Sequence, residues 1–251
     1  MKKQAIITTV VVLIVIAIAV VGYVHYKNIS VTTSPVISNN TPETSKTITI
    51  STERIDEDTF TGTKPVLIGS GTLANTARKY IVDSITTFAA QADKEVPSLR
   101  QEYGNDAPSA QYTIDINAKE IDSSTTQSLI IDSYLYMGGA NGSSMYKAFT
   151  TRSSNGDLIA IRDLVKPTRQ KAFVPFMQKK LLTWRPDGTD QPMIFEDEIK
   201  NLTIDSFSNF SLDDKNLTIY FDKYQIGPGA LGAVAFPIPL TLLKDYILLP
   251  Q

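Results

Sequence analysis

The chain has 251 residues, 42% hydrophobic and 20% charged, with a formal net charge of −2. Lys2, Lys3 and Lys27 lie in a stretch, residues 1–27, that has no Asp or Glu, so the remainder carries −5 and lacks the basic footprint of a nucleic-acid binder. Cysteine is absent and His25 is the only histidine, which removes disulfides, thiolate metal sites, a lipid-anchoring cysteine, cysteine nucleophiles, Ser-His-Asp triads and histidine-rich metal sites from the region that follows.

Residues 5–24 hold no charge and are interrupted only by Thr8, Thr9 and Gly22, a length that spans hydrocarbon as a helix. The alternative is a cleaved signal peptide, with Ala17-Ile18-Ala19 as the small-residue site, but the apolar run exceeds the roughly 7–15 residues of such a region. The expectation is a short cytoplasmic tail over 1–4 and a single-pass anchor over 5–26. Lys2 and Lys3 favour a cytoplasmic N-terminus, placing Tyr23 and Tyr26 at the outer interface and the rest outside the cytoplasm. Residues 27–46, rich in Ser, Thr and Asn with Pro35 and Pro42, form a solvated linker. Residues 47–251 form the extracytoplasmic domain.

Thr47-Ile48-Thr49-Ile50-Ser51 alternates as a first strand, ended by the acidic turn Asp56-Glu57-Asp58. After Gly69-Ser70-Gly71, the residues Leu73, Ala77, Ile81, Ile85, Phe88, Ala92 and Val96 recur at helical spacing, predicting a helix over 72–96. Pro97, Gly104 and Pro108 mark a loop, followed by strands over 112–116, 129–137 and 143–151, with Asn155-Gly156 as a tight turn before a short returning strand at 158–161. Phe173, Met177, Leu181 and Trp184 mark a second helix, which Pro175 kinks or restarts. A helical turn at Glu196-Asp197-Glu198, a hairpin of 207–211 and 217–221, and a strand over 232–239 complete the chain, the last placed at an edge by Pro237 and Pro239. This order predicts an α+β fold: an antiparallel sheet meander with two main helices packed on it, preceded by one transmembrane helix.

Three features compete for a function. The loop Gly138-Gly139-Ala140-Asn141-Gly142 marks positive φ or close backbone approach, and it lacks both the lysine and the following helix of a phosphate loop. Tyr134, Tyr136 and Tyr146 fall close on neighbouring strands, either as an aromatic platform or as cross-strand packing; Tyr220, Phe221 and Tyr224 before Gly227-Pro228-Gly229 carry the same two readings. Glu196-Asp197-Glu198 and Asp213-Asp214 are solvated charge, the paired carboxylates of a glycan hydrolase, or a calcium site, for which the Asp-x-Asp-x-Asp-Gly loop is missing.

The stretch from Tyr134 to Gly142, with Tyr146, Phe149, Asn155-Gly156 and Asp163-Leu164-Val165, resembles the family called domain of unknown function 3298. So do Phe221-Asp222-Lys223-Tyr224-Gln225-Ile226-Gly227-Pro228-Gly229-Ala230-Leu231-Gly232 and Ala235-Phe236-Pro237-Ile238-Pro239. Residues 48–136 are similar to the companion region that precedes such domains, the amino-terminal region of deacetylases. Asn141 stands where many members have histidine. The resemblance implies an exported, non-catalytic domain of the cell envelope, as in a lysozyme-sensing membrane-anchored anti-sigma factor and beside peptidoglycan deacetylases. The four-residue tail is too short to hold a sigma factor.

The expectation is therefore a membrane-anchored, non-catalytic binding module for an envelope ligand, peptidoglycan or a protein such as lysozyme, with no cofactor and no metal. Its candidate binding surface is Tyr136, Gly138, Gly139, Asn141 and Tyr146. An envelope glycan-modifying enzyme using paired carboxylates and a scaffold subunit of a membrane complex are the alternatives.

Overall fold

The structure, a computed structural model, describes residues 47–186 and 193–250. The expected anchor and linker lie outside the described residues, and among the described residues no helix is long and apolar enough to cross a membrane.

The first sheet has five strands in the order β1 (Thr49–Asp56), β2 (Phe60–Ile68), β3 (Tyr112–Asp122), β4 (Thr126–Met137) and β5 (Ser143–Arg152). It is mixed rather than the antiparallel meander expected from sequence. β2 and β3 run parallel, from the pair Phe60↔Tyr112 to Thr63↔Asp115. Parallel neighbours need a long crossover, and α1 (Thr72–Tyr103) supplies it. β2 itself is hidden in the sequence because Gly62 and Pro65 interrupt its alternation. Beyond Thr63 it has only β1 beside it, so Pro65 breaks no ladder on the β3 side.

α1 buries Leu73, Ala74, Ala77, Ile81, Phe88, Ala92 and Val96, and its alanines let the helix lie close over Ile114, Ile116, Leu129 and Ile131. Phe88 meets Phe60 edge-on at 5.4 Å. The helix does not stop before Pro97 as the sequence suggests; it continues to Tyr103. A proline inside a helix costs about 3 kcal/mol. Against that stand fully buried Val96, Leu99 packed on the core, and Arg100 hydrogen-bonded to Asp58. Gly104, at φ 93, ends the helix, its N–H donating to the Arg100 carbonyl at 2.9 Å.

After β5, the returning strand expected at 158–161 shrinks to one bridge, Thr151↔Leu158. The chain instead turns into the short helix α2 (Ile161–Leu164), where the Asp163 carboxylate accepts the Ala160 N–H at 2.9 Å. α3 (Gln170–Thr183) and α4 (Glu196–Lys200) follow. The second sheet, β6 (Phe210–Leu212), β7 (Asn216–Phe221) and β8 (Val234–Pro239), is antiparallel, and the short α5 (Leu240–Leu243) follows it. Pro237 and Pro239 lie on β8, an edge strand as expected. The hairpin's first strand is shorter than expected, since Ile204–Phe207 is a 3₁₀ turn.

The two main helices do not share one sheet. α3 runs through Pro175 and buries Phe173, Met177 and Leu181 with Phe207, Ile199 and Phe221, in a core distinct from that beneath α1. The sheets meet through side chains. Thr126 Oγ1 donates to the Leu212 carbonyl at 2.9 Å and Thr150 Oγ1 to the Phe210 carbonyl at 2.8 Å.

Candidate functional site

The loop between β4 and β5 is shaped by two glycines. Gly138 has φ 72, and a β-carbon there would overlap the Ser109 carbonyl, so only glycine lets this turn lie against the 3₁₀ turn Pro108–Ala110. Gly142 lies beneath the Tyr134 ring, where a side chain would collide with the phenol. Between them Gly139 and Asn141 are exposed, and no heavy atom lies within 4 Å of a β-carbon built on Gly139.

A second loop follows β7. Asp222 and Gln225 close it, the Asp222 N–H donating to the Gln225 side-chain oxygen at 2.8 Å and the Gln225 N–H to the Asp222 carbonyl at 3.0 Å. Between them Tyr224 takes φ 70, the one positive value at a non-glycine among the described residues. A bulky residue in that region is strained and persists only where its surroundings hold it. Here the ring lies against Gly229, which has no side chain to displace it.

Lys223 ties the loops together. Its N–H donates to the Ser144 carbonyl at 2.9 Å and its Nζ to the Gly142 carbonyl at 2.7 Å, while Nζ stands 5.2 Å from the Tyr224 ring centre. The outcome is a surface with Tyr134 42% exposed and Tyr224 58% exposed, flanking an engaged lysine, with the Asn141 amide beside Gly142. Two aromatic faces supply contact area, and the amide supplies both donors and acceptors.

The five residues singled out from sequence are not all on that surface. Asn141 and Gly139 are. Gly138 shapes the turn, and Tyr136 is half-buried, two residues beyond Tyr134 on the same strand face. Tyr146 packs inward, its ring 5.1 Å from Tyr220, in a small cluster with Ile130 and Ala148. Lys223 and Asp222 carry no motif of their own. The signal that points to them is the aromatic and glycine run from Phe221 to Gly229 in which they sit.

Beneath the surface the free edge of β5 is closed by side chains instead of another strand. The Asp222 carboxylate accepts the Tyr146 N–H at 2.7 Å; Asn209 accepts from the Ala148 N–H at 3.4 Å and donates to the Tyr146 carbonyl at 3.1 Å. Burial pushes the Asp222 carboxyl above its ordinary range, opposed by that N–H and by the charge of Lys147. Burial likewise pushes the Lys147 ammonium down, opposed by Asp222, and raises the Tyr80 phenol.

Glu196, Asp197, Asp213 and Asp214 of the acidic runs are locally occupied. Glu196 and Asp197 pair with Lys200 at 3.1 and 3.5 Å. Asp213 accepts the Lys215 and Asn216 N–H groups, both at 2.7 Å, and Asp214 accepts from Ser124. Among the described residues no three His, Cys, Asp or Glu side chains converge.

The profile of the family described as "Protein of unknown function (DUF3298)" matches residues 162–241, a span that includes the Tyr224 loop and leaves the Gly138 loop outside. The chain is 26% identical over 164 residues to the peptidoglycan-N-acetylmuramic acid deacetylase PdaC of Bacillus subtilis, a match covering 62% of this chain and 33% of that protein. It thus spans about a third of the length of that relative. A crystal structure of a DUF3298 family member from Bacteroides fragilis aligns with a TM-score of 0.56 at 15% identity, covering 84% of this chain and 96% of the other. One from Pseudomonas aeruginosa aligns with a TM-score of 0.50 at 15% identity, covering 82% and 94%. Residues 162–241 accordingly carry the match to the DUF3298 family model, and the fold is similar to those of two solved members of that family.

Proposed function

We propose that this chain is a non-catalytic binding module, anchored in the membrane by residues 5–24 and displaying residues 47–251 outside the cytoplasm, where its Tyr134 and Tyr224 surface takes a peptidoglycan glycan strand. The observation that carries the proposal is Tyr224: an exposed aromatic ring held in a strained backbone conformation and braced against a second loop through Lys223. Strain of this kind collects at ligand-contacting positions. Exposed rings stack on the apolar faces of sugars while the neighbouring amide serves their hydroxyls. The likeness to a peptidoglycan deacetylase supports an envelope glycan as ligand. Binding without chemistry suits the surface because its lysine is engaged and its other groups offer contact and hydrogen bonds.

The test is a calorimetric titration of the full chain in mild detergent with soluble peptidoglycan fragments, and separately with lysozyme, at two salt concentrations. Saturable binding of the fragments, weakly sensitive to salt, is the expected result. Salt-sensitive binding of lysozyme alone would replace the glycan by a cationic protein, a ligand that the −5 charge also suits. Absence of binding to both would overturn the proposal.

A further inference from the structure

A cavity of about 320 Å³ lies where the end of β5, α2 and the C-terminal segment meet, lined by Arg152, Asp163, Leu164, Leu248, Leu249 and Pro250. Backbone pairing builds it. The Lys166 N–H donates to the Tyr246 carbonyl at 2.8 Å, Val165 bridges Ile247, and the Leu248 N–H donates to the Leu164 carbonyl at 2.7 Å. This lays the C-terminal segment along the end of α2. Leu164 is buried at 1% exposure, whereas Leu248 and Leu249 remain 54% and 51% exposed beside the cavity.

Two opposite charges share this lining without neutralising each other. The turn after β5 fixes the Arg152 backbone, its N–H donating to the Asp157 carbonyl and its carbonyl accepting the Gly156 N–H, both at 2.9 Å. Among the described residues its guanidinium has no ion-pair or hydrogen-bond partner. Asp163 uses Oδ2 to accept the Ala160 N–H, leaving Oδ1 available.

From an apolar wall combined with one available cation and one available anion, we infer that this cavity binds a short zwitterionic peptide with an apolar side chain. The guanidinium takes the peptide carboxylate through two parallel N–H donors, Asp163 takes the ammonium, and the side chain lies against Leu164, Leu248 and Leu249. A simple anion would meet Asp163 unmatched, and a simple cation would meet Arg152. The volume lies at the lower end of the roughly 300–1,000 Å³ of small-molecule sites, which suits a dipeptide rather than a folded partner. The inference stands apart from the Tyr134 and Tyr224 surface and does not depend on it.

The experiment titrates the full chain in mild detergent with leucyl-alanine, N-acetyl-leucyl-alanine and leucyl-alanine amide. The free dipeptide binds saturably, and blocking either terminus weakens binding about tenfold, the size of one lost charged hydrogen-bond pair. Arg152→Gln abolishes the preference for a free carboxylate. Asp163→Asn abolishes the preference for a free ammonium while keeping an oxygen for the Ala160 N–H, so the start of α2 is retained. Tyr224→Ala leaves all three titrations unchanged. No saturable binding of the free dipeptide, or binding indifferent to both blocked termini and to Arg152→Gln, overturns the inference.

Discussion

Towards the N-terminus a single 32-residue helix covers a five-stranded sheet, and most of the core between them is aliphatic residues and alanines on a regular period, with Phe60, Phe88 and Tyr112 among them. Towards the C-terminus a 14-residue helix, single turns and three short strands enclose a core in which Phe173, Phe207 and Phe221 meet edge-on, at 6.0 and 6.3 Å. The first core depends on a repeated pattern, so each position contributes a little. The second depends on a few large rings in a small space, so each of those contributes a great deal. The candidate surface grows where the two regions touch, because β5 presents an unpaired edge that Asn209, just before β6, and Asp222 and Lys223, just after β7, close.

The largest expected effect breaks the second core. Phe207→Ala removes a fully buried ring between two others and should cost about 3–5 kcal/mol. Urea unfolding followed by the fluorescence of Trp184, the only tryptophan, and by circular dichroism should show one shared transition moving to lower urea. Two separated transitions would show that the cores unfold independently. Next in size, Gly138→Ala should cost about 1–3 kcal/mol, since it puts a side chain at positive φ against the Ser109 backbone. Gly139→Ala, with open space around it, should stay within about 0.5 kcal/mol, and equal effects at the two would refute the assignment of the turn.

Smaller effects bear on the junction between the two regions. Asn209→Ala leaves the Tyr146 carbonyl and the Ala148 N–H without their partner and should cost about 1 kcal/mol, with faster amide exchange along β5 as the specific readout. The weakest is a pH effect. The folded-state pKa of Asp222 lies above the ordinary 3.8, so the native state holds this proton more tightly than the unfolded chain does. Its contribution to stability is full below pH 3.8 and is lost as pH rises from there through the raised value. Asp222→Asn, which keeps an acceptor for the Tyr146 N–H, should flatten that range of the stability profile; an unchanged profile would assign it to other groups.

Legibility from sequence follows the same division. The α1 face and strands β3 to β5 show through because their apolar residues repeat over many positions. β2 does not, because Gly62 and Pro65 break its alternation, and its parallel pairing is set by the crossover through α1, which no local pattern encodes. The continuation of α1 past Pro97 is hidden because the contacts outweighing the proline come from distant residues, Asp58 among them. At the site, the glycines and tyrosines are visible as residue types, but their roles are not. Tyr136 and Tyr146 look alike in sequence to Tyr134, and only the docking of β7 half-buries Tyr146 against Tyr220 while Tyr134 stays exposed.

The central claim is that the two exposed tyrosines form the ligand surface. Its most direct test compares the full chain with a Tyr134→Ala, Tyr224→Ala double variant by calorimetric titration with soluble peptidoglycan fragments, after confirming equal unfolding midpoints. The account predicts saturable binding by the wild-type chain and at least about a tenfold loss in the variant, in line with the contribution of aromatic contacts. Equal affinity in the two proteins would contradict it and move the ligand elsewhere on the molecule.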